Sequence, residues 1–321
     1  MEKFQQLVNE GIAQLNWQKS PNELYEPIAY TLNLGGKRLR PALTLAAADL
    51  FGGDVRLALA PALGIELFHN FTLIHDDIMD NAPLRRGQAT VYQKYNVNTA
   101  ILSGDALFVE AYKLVVQSPK VVLSEVLQVF NQAALEVCEG QQLDMNYESL
   151  RSITTENYLE MIAKKTSVLI AAAMQMGAII GGATEQDAKN LYDFGKYMGI
   201  AFQIQDDILD VFADAATFGK QVAGDILSNK NTFLKTKAYQ VANETEMAAL
   251  NHFFYAKNIS DQQKIAEITA IFRTLNIQEL AQAEMENQLN TATTALNKID
   301  AAADKKQNLL DFANYLIKRQ V

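Results

Sequence analysis

Hydrophobic residues recur at three- and four-residue spacing along almost the whole chain, which is the periodicity of amphipathic helices. Of the 321 residues only 16 are Gly and 6 are Pro, so the residues that form frequent turns are scarce. The sequence therefore predicts an all-α fold made of long helices. We expect these helices at 2–16, 22–33, 40–51, 57–80, 98–116, 119–146, 155–181, 185–213, 231–243, 245–256, 260–274, 277–298 and 302–319.

Three helix boundaries have capping signals. Thr184, with Asp187 three residues later, predicts an N-terminal capping box. Ser118-Pro119 predicts a cap followed by a proline in the first turn, and Gly181-Gly182 predicts a helix end.

Two of the predicted helices, 57–80 and 184–210, are apolar on most of their circumference. A helix that is apolar all round is normally buried, so both should be central. No Pro-, Ser- or Gly-rich linker, charge block or low-complexity tract interrupts the chain. We therefore predict a single domain over residues 1–321, a helical bundle with these two helices inside.

Both central helices end in the same acidic pattern. The first ends in Asp76-Asp77-Ile78-Met79-Asp80, and the second ends in Asp206-Asp207-Ile208-Leu209-Asp210. The outer aspartates of each pattern are four residues apart and share one helix face. The helix dipole disfavours carboxylates at a C-terminal end by up to about 1 kcal/mol each, which weakens the explanation that these are only solvated helix ends. Oxygen-only ligands with room for water and phosphate favour Mg²⁺.

Basic residues lie near both acidic patterns in the sequence. They are Lys37, Arg38 and Arg40 after Gly35-Gly36, Arg85 and Arg86 before Gly87, the pair Lys164-Lys165, Lys220 after Gly219, and Lys230 after Asn229. Arg and Lys both bind phosphate oxygens, Arg in bidentate geometry. Each basic pair alone is more often a solvated surface pair. Their placement around two acidic patterns indicates a polyphosphate bridged by Mg²⁺.

Composition narrows the function further. The formal net charge of −9 argues against a nucleic-acid partner, and a single cysteine, Cys138, excludes an internal disulfide framework. The N-terminus lacks the apolar core of a signal peptide, and the longest apolar stretch, Val168–Ile180, is too short to span a bilayer. We therefore expect no transmembrane segment and a cytoplasmic enzyme.

The motifs together resemble the trans-isoprenyl diphosphate (polyprenyl) synthases over nearly the whole chain. They are Gly35-Gly36-Lys37-Arg38-Leu39-Arg40-Pro41, His69 to Asp80 with Arg85-Arg86-Gly87, Gly104-Asp105, Gly140-Gln141-Gln142 with Asp144, Lys165-Thr166, Phe202-Gln203 with Asp206-Asp207-Asp210, and Gly219-Lys220 with Gly224-Asp225. The resemblance implies an all-α, single-domain bundle around a deep central cavity (the isoprenoid synthase type), usually a homodimer, with the two acidic patterns facing each other at the cavity mouth.

The resemblance also implies the roles of the acidic residues. Asp76, Asp80 and Asp206 would be direct Mg²⁺ ligands. Asp77, Asp207 and Asp210 would act indirectly or through water. Three Mg²⁺ ions are expected when the allylic diphosphate is bound.

Two diphosphate sites follow from the same resemblance. The allylic diphosphate (dimethylallyl, geranyl or farnesyl) would be held by the metals with Arg85, Lys165, Lys220 and Lys230. Isopentenyl diphosphate would be held without metal by Lys37, Arg40, His69 and Arg86.

The implied reaction needs no protein nucleophile. Metal ions and cationic side chains would stabilise the leaving diphosphate as the C1–O bond breaks. Thr166, Gln203 and the carbonyl of Lys165 would stabilise the allylic cation. The isopentenyl double bond attacks that cation, and the released pyrophosphate removes the proton.

The chain departs from the family pattern in the last motif. Asn229 stands where a glycine is usual before the lysine, and Phe233-Leu234 replaces a usual proline. Asn tolerates the left-handed conformation, so we expect the turn to persist. A basic C-terminus, Lys318-Arg319, either folds over the isopentenyl site, as in some members, or is a solvated end.

Product length should depend on the residues before the first acidic pattern. Phe71 and Thr72 precede Asp76 by five and four residues, and Phe68 lies one turn deeper. A helical turn of about 5.4 Å is comparable to one isoprene unit, so a large side chain at one of these levels stops chain growth. Phe71 and Thr72 without an inserted dipeptide resemble archaeal-type geranylgeranyl synthases, so we expect a C20 product first and C15 second.

Two other functions stay open from the sequence. A class I terpene cyclase shares the fold, but it usually has one aspartate-rich cluster and needs no isopentenyl site. A non-catalytic subunit of a heteromeric prenyl synthase typically loses acidic ligands, whereas all six are present here.

Overall fold

The structure, a computed structural model, describes residues 1–213, 223–256 and 258–318, and most of them are helical. This confirms the predicted all-α class. The helices are α1 (Glu2–Ala13), α2 (Asn22–Asn33), α3 (Leu39–Leu50), α4 (Val55–Met79), α5 (Val91–Lys94), α6 (Val97–Val115), α7 (Leu123–Glu148), α8 (Thr155–Ile162), α9 (Val168–Gly181), α10 (Glu185–Phe212), α11 (Gly224–Leu227), α12 (Phe233–Val241), α13 (Glu244–Tyr255), α14 (Asp261–Thr274), α15 (Ile277–Asn297) and α16 (Ala303–Lys318).

Two of the three predicted boundaries are confirmed. The hydroxyl of Thr184 accepts the backbone N–H of Asp187 at 3.1 Å, and α9 ends before Gly182, whose φ is +89°. The cap at Ser118 is wrong, because α7 begins only at Leu123. The Ser118 hydroxyl donates to the carbonyl of Val115 at 2.7 Å and so serves the end of α6 instead.

Two local structures were not predicted. A hairpin joins β1 (Leu84–Arg85) to β2 (Gln88–Ala89), with both turn residues at positive φ, as a tight hairpin turn requires. A π-helical segment, Ala163–Ser167, separates α8 from α9 inside the predicted helix 155–181. Both lie beside residues of the predicted site.

The described chain forms two compact units. Unit 1 comprises Met1–Ala134, Leu169–Tyr192 and Lys298–Asn308. Its long helix α4 packs mainly against α6 and α3, and the side chain of Asp54 caps its start by accepting the N–H of Arg56. Apolar side chains of α4 fill the core of this unit, and the helix ends at the first acidic pattern.

Unit 2 comprises the described residues of Leu135–Val168, Asp193–Asn297 and Leu309–Val321. In it α12 packs against α8 and α15, and α14 packs against α11 and α13. The shared core contains Ile204, Ile208, Phe233, Leu234 and Phe272. The predicted single domain over 1–321 stays a prediction.

One described helix, α4, is long and apolar enough by length and composition to cross a membrane. Its most apolar window is 61% buried inside the protein, and a core helix of a soluble protein passes the same test. The segment Val168–Ile180, singled out in the sequence, does not.

Candidate active site

The first acidic pattern lies at the C-terminal end of α4. Asp80 is exposed and is the C-cap residue of the helix. Its backbone N–H donates to the carbonyl of Asp76 at 2.8 Å. Asp77 is buried and accepts hydrogen bonds from Arg85: Nε lies 2.9 Å from both carboxylate oxygens, and Nη2 lies 2.6 Å from Oδ1. Burial raises the pKa of Asp77, and Arg85 partly offsets this by lowering it. Asp77 is therefore an anchor for Arg85.

The β1–β2 hairpin positions two basic side chains. Arg85 points to Asp77, and the guanidinium of Arg86 donates to the carbonyl of Gly35. Gly36 has a φ of +137°, and a Cβ there would press against the Arg86 guanidinium. The Gly35-Gly36 loop thus needs glycine both for its conformation and for the approach of Arg86.

A compact basic group surrounds His69 on α4. Arg40 Nη1 lies 3.2 Å from His69 Nε2. Burial lowers the pKa of His69 well below its ordinary value, and Arg40, Arg86 and Arg85 lower it further. His69 is therefore a neutral imidazole among guanidinium groups. The Nε of Arg40 is buried with no hydrogen-bond partner in the described part of the chain, as expected of a donor aimed at an anionic ligand.

Arg38 fixes the loop that carries this basic group. Its side chain is buried and forms an ion pair with Glu66 at 2.5 Å, and it also donates to the carbonyl of Leu32 at 2.5 Å. Asn70 donates to Glu66 as well, at 3.1 Å. Arg38 adopts a left-handed φ of 48° at the start of α3. Lys37, just before it, is exposed, and its carbonyl accepts the Gln5 amide at 2.6 Å.

The second acidic pattern lies near the end of α10. Asp207 is buried and accepts the Tyr158 hydroxyl at 2.6 Å and the N–H of Phe233 at 2.9 Å. Burial and the nearby Asp225 raise the pKa of Asp207 to about 7 and that of Asp210 to about 6. Asp206 is half-buried. Asp207 thus resembles Asp77 in being held by protein donors.

The π segment places Lys165 and Thr166 near α7 and α10. Lys165 Nζ lies 2.5 Å from Asp144, and the Thr166 hydroxyl lies 3.4 Å from the Gln203 side-chain oxygen. A Cβ on Gly140 would overlap the backbone of Lys165, so α7 needs glycine at that level. π segments shift the helical register locally and often occur at functional sites.

Lys230 shares a small cavity with these residues. The cavity is lined by Asp144, Tyr158, Met161, Ile162, Lys165, Thr166, Gln203, Asp207, Lys230 and Thr232. Asn229 has a φ of 59°, which confirms that the departure from glycine keeps the left-handed turn. Lys220 and Arg319, with the side chain of Lys318, lie outside the described residues.

The acidic residues do not form a closed metal cage. Within the described ranges, no three His, Cys, Asp or Glu side chains form a group that could hold a metal ion. Each pattern instead supplies a buried, protein-bound carboxylate beside more accessible ones. Mg²⁺ normally takes one or two carboxylates plus waters and substrate phosphates, so these donors fit magnesium that binds with a diphosphate.

Aromatic rings lie one turn or more below the first acidic pattern, all in unit 1. Phe71 stacks on Phe108 of α6, with ring centroids 4.9 Å apart and planes at 11°. Phe68 contacts Phe71, Phe108 and Phe130 at 5.4 to 5.5 Å between centroids. The Thr72 hydroxyl donates to the carbonyl of His69 and so faces its own helix.

Comparison with known proteins decides the family. The polyprenyl synthetase family profile matches residues 21–272. The chain belongs to the polyprenyl synthetase family. A short chain isoprenyl diphosphate synthase of Methanothermobacter thermautotrophicus is 36% identical over 100% of this chain and 98% of its own length. A geranylfarnesyl diphosphate synthase of Natronomonas pharaonis is 35% identical, covering 98% of this chain and 95% of its own.

Solved structures agree with this membership. The crystal structure of a geranylgeranyl pyrophosphate synthetase from Pyrococcus horikoshii matches with a TM-score of 0.93 and 34% identity, covering 99% of this chain and 98% of that one. The predicted family, fold and enzyme class, a trans-prenyltransferase, are thereby confirmed. Membership of this family accounts for the sequence motifs without a terpene cyclase or a non-catalytic subunit.

The sequence predicted no role for four residues that contact these sites: Phe108, Phe130, Tyr158 and Asp225. Arg38 was predicted with its basic neighbours to bind phosphate, whereas its guanidinium pairs with Glu66. Asp225 stands inside a motif of the polyprenyl synthetases, so its position was a usable signal. Phe108, Phe130 and Tyr158 come from helices far away in the sequence, and only the packing shows their contacts.

Proposed function

We propose that this polyprenyl synthetase condenses isopentenyl diphosphate with dimethylallyl, geranyl and farnesyl diphosphates in the cytoplasm and stops at C20, with C15 as the second product. The neutral His69 among guanidinium groups carries this proposal, because it offers an anion site that needs no metal. A terpene cyclase has no second substrate to fill such a site.

The isopentenyl diphosphate binds to Lys37, Arg40, His69 and Arg86. Two facts support this set: Arg40 contacts His69, and Arg86 contacts the loop that precedes Lys37. The unpartnered Nε of Arg40 donates to a diphosphate oxygen. A neutral His69 adds a donor without repelling the neighbouring arginines.

The allylic diphosphate binds with three Mg²⁺ ions, which supply positive charge to the leaving group. Asp76, Asp80 and Asp206 are the direct ligands. Asp77, Asp207 and Asp210 act indirectly, and the protein donors bound to Asp77 and Asp207 support this division. Lys165, Lys230, Arg85 and Lys220 complete the site. Lys165 and Arg85 are held in place by Asp144 and Asp77 and share their remaining N–H groups with the substrate.

The remaining steps use oxygen dipoles and no protein nucleophile. Lys165 and Lys230 stabilise the charge that develops as the C1–O bond breaks. Thr166, Gln203 and the Lys165 carbonyl turn their oxygens to the allylic cation, and the 3.4 Å distance between the Thr166 hydroxyl and the Gln203 side-chain oxygen supports this pairing. The isopentenyl double bond attacks C1 of the allylic cation. A pyrophosphate oxygen then accepts the proton that the isopentenyl unit loses.

Aromatic side chains set the product length. Phe71, supported by Phe108, is the first obstacle below Asp76, and Phe68 is the next. Thr72 is too small to block the growing prenyl chain at its own turn of α4. A stop at this depth suits C20 or C15 and excludes the long products that need small residues here.

The active form is a homodimer. Helix α6 exposes Leu102 and Val109, and the residue that caps its end, Val116, continues the seven-residue spacing; the three are 59%, 59% and 46% accessible. Such a stripe on one helix face matches the seam of a helix–helix interface.

A product assay tests the proposal. Purified protein is incubated with Mg²⁺, labelled isopentenyl diphosphate and, separately, each of the three allylic diphosphates, and the dephosphorylated alcohols are sized. We expect a C20 alcohol, with C15 as the lesser product. If folded protein incorporates no isopentenyl diphosphate with any primer, the result contradicts a synthase. The alternatives are then a terpene cyclase or a non-catalytic subunit.

A further inference from the structure

Lys235 is a fully buried lysine that the reaction described above does not use. It lies on α12 with 1% of its surface exposed. Its amine donates to the backbone carbonyl of Asn229 at 2.8 Å and to the Tyr255 hydroxyl at 3.3 Å. The amine also lies 4.9 Å from the ring centre of Phe254. A buried ammonium is costly unless such partners satisfy it, so its contacts require an explanation.

The contacts converge on the turn that precedes Lys230. Asn229 has left-handed backbone geometry, and its carbonyl accepts Lys235. A second lysine, Lys264 of α14, donates to the Asn229 side-chain oxygen at 2.6 Å and to the carbonyl of Leu227 at 3.2 Å. Two amines therefore bind one turn from two different helices.

The chain after Lys230 is fixed as well. The Asn231 amide donates to the carbonyl of Tyr147 at 2.8 Å, and the N–H of Phe233 donates to Asp207 at 2.9 Å. The backbone on both sides of Lys230 is thus held, and Lys230 lines the cavity with Lys165 and Asp207. The Asn229 turn sets where the Lys230 backbone enters the cavity, and the two lysines bind that turn.

We propose that Lys235, assisted by Lys264, is a positioning residue that holds the Asn229 turn and thereby places the Lys230 amine for the allylic diphosphate. The inference rests on the proposed function, in which Lys230 binds that diphosphate. Asn229 lacks the conformational freedom of the glycine that is usual in the family, and the two lysines stabilise the left-handed turn it must adopt. Burial, together with the nearby positive charge of Lys264, lowers the pKa of Lys235 to about 8, and the acceptors that hold its amine are neutral.

The test compares Lys235→Met, Lys235→Arg and Lys230→Met with the double variant Lys230→Met/Lys235→Met. Lys237→Met is the matched control, because Lys237 lies on the same helix and contacts only Gln240 among the hydrogen bonds of described residues. KM is measured separately for farnesyl and isopentenyl diphosphate, and inorganic pyrophosphate binding is measured by titration calorimetry.

We expect Lys235→Met to raise the farnesyl diphosphate KM about tenfold and to weaken pyrophosphate binding similarly, the loss typical of one charge-assisted contact. The isopentenyl diphosphate KM should stay within about twofold, and Lys235→Arg should recover most of the loss because it keeps a charged donor. In the Lys230→Met background the second change should add little, because the two residues act through one amine.

Three results overturn the inference: an unchanged farnesyl diphosphate KM, equal changes in both KM values, or full additivity with Lys230→Met. If Lys235→Met does not fold, Lys264→Met decides, since Lys264 is half-buried and binds the same turn. An unchanged farnesyl diphosphate KM in that variant overturns it too. A folded wild-type protein without any incorporation overturns the proposed function itself, and this inference with it.

Discussion

Asp77 and Asp207 stand second in their acidic patterns, and both are buried among protein donors. Arg85 holds the first, and Tyr158 with the N–H of Phe233 holds the second. Their neighbours Asp76 and Asp206 are only partly buried. At the residue scale, the second carboxylate of each pattern therefore anchors the surrounding structure through buried hydrogen bonds, while the first is more accessible.

The first prediction concerns Asp76. Asp76→Ala should reduce kcat by at least about a thousandfold, since a direct metal ligand stabilises the leaving group, while the thermal midpoint stays within a few degrees. Product formation and melting by circular dichroism measure both. Glu10→Ala, an exposed acid in the last turn of α1, is the control and should leave kcat unchanged. Normal turnover by Asp76→Ala would refute the metal assignment.

The second prediction concerns the depth of the aromatic stop. Phe71→Ala should lengthen the product, and Phe108→Ala should do the same because Phe108 backs Phe71 from α6 at 4.9 Å. The double variant should give the longest alcohols, because the first obstacle and the ring that supports it are both removed. Tyr315→Ala, an aromatic residue that is 70% exposed, is the control for sized products. If every variant gives the wild-type product distribution, these rings do not set the chain length.

At the element scale, the start of α3 depends on a buried ion pair. Arg38 joins Glu66 of α4 to the carbonyl of Leu32 in α2, so three helices of unit 1 meet at one guanidinium. Lys37 and Arg40 lie on either side of it. The basic group is therefore ordered by a residue that does not belong to the proposed diphosphate contacts.

The third prediction follows from that pair. Arg38→Met leaves Glu66 buried without its cation, so the free energy of unfolding should fall by about 3 to 5 kcal/mol. Arg38→Met/Glu66→Met should be less destabilised than the single variant, because no charge remains unpaired. Urea unfolding measures both. Arg56→Met, which breaks an exposed pair with Asp54, should shift the urea midpoint much less than Arg38→Met does, because water screens exposed charges. A double variant with a lower free energy of unfolding than Arg38→Met would contradict the role of the unpaired Glu66 charge.

At the scale of the whole molecule, the exposed stripe on α6 predicts self-association. Val109→Asp places a charge in the middle of the stripe and should shift the protein toward monomer, as measured by light scattering after gel filtration. Val121→Asp is the matched control, since Val121 is 87% exposed and lies outside α6. A wild-type protein that is monomeric at micromolar concentration, or a Val109→Asp variant that remains dimeric, contradicts the proposed interface.

Local patterns were sufficient for much of this protein. The 3.6-residue periodicity predicted most of the long helices, and the fold class and family are confirmed. The N-terminal cap at Thr184 and the left-handed Asn229 are also confirmed, because each depends on a few adjacent residues; of the predicted capping box, the bond from the Asp187 N–H to the Thr184 hydroxyl is present. The Ser118 cap is wrong because its hydroxyl had two local uses, and the sequence does not rank them.

Tertiary structure decided what depends on distant segments. In the π segment, the backbone of Lys165 lies close against Gly140 of α7. The hairpin, with its two positive-φ turn residues, brings Arg85 to Asp77 and Arg86 to Gly35. The Phe71–Phe108 stack and the lysines on the Asn229 turn join helices that the sequence separates. Periodicity determines which face of a helix is apolar, but only packing determines which side chains meet across it.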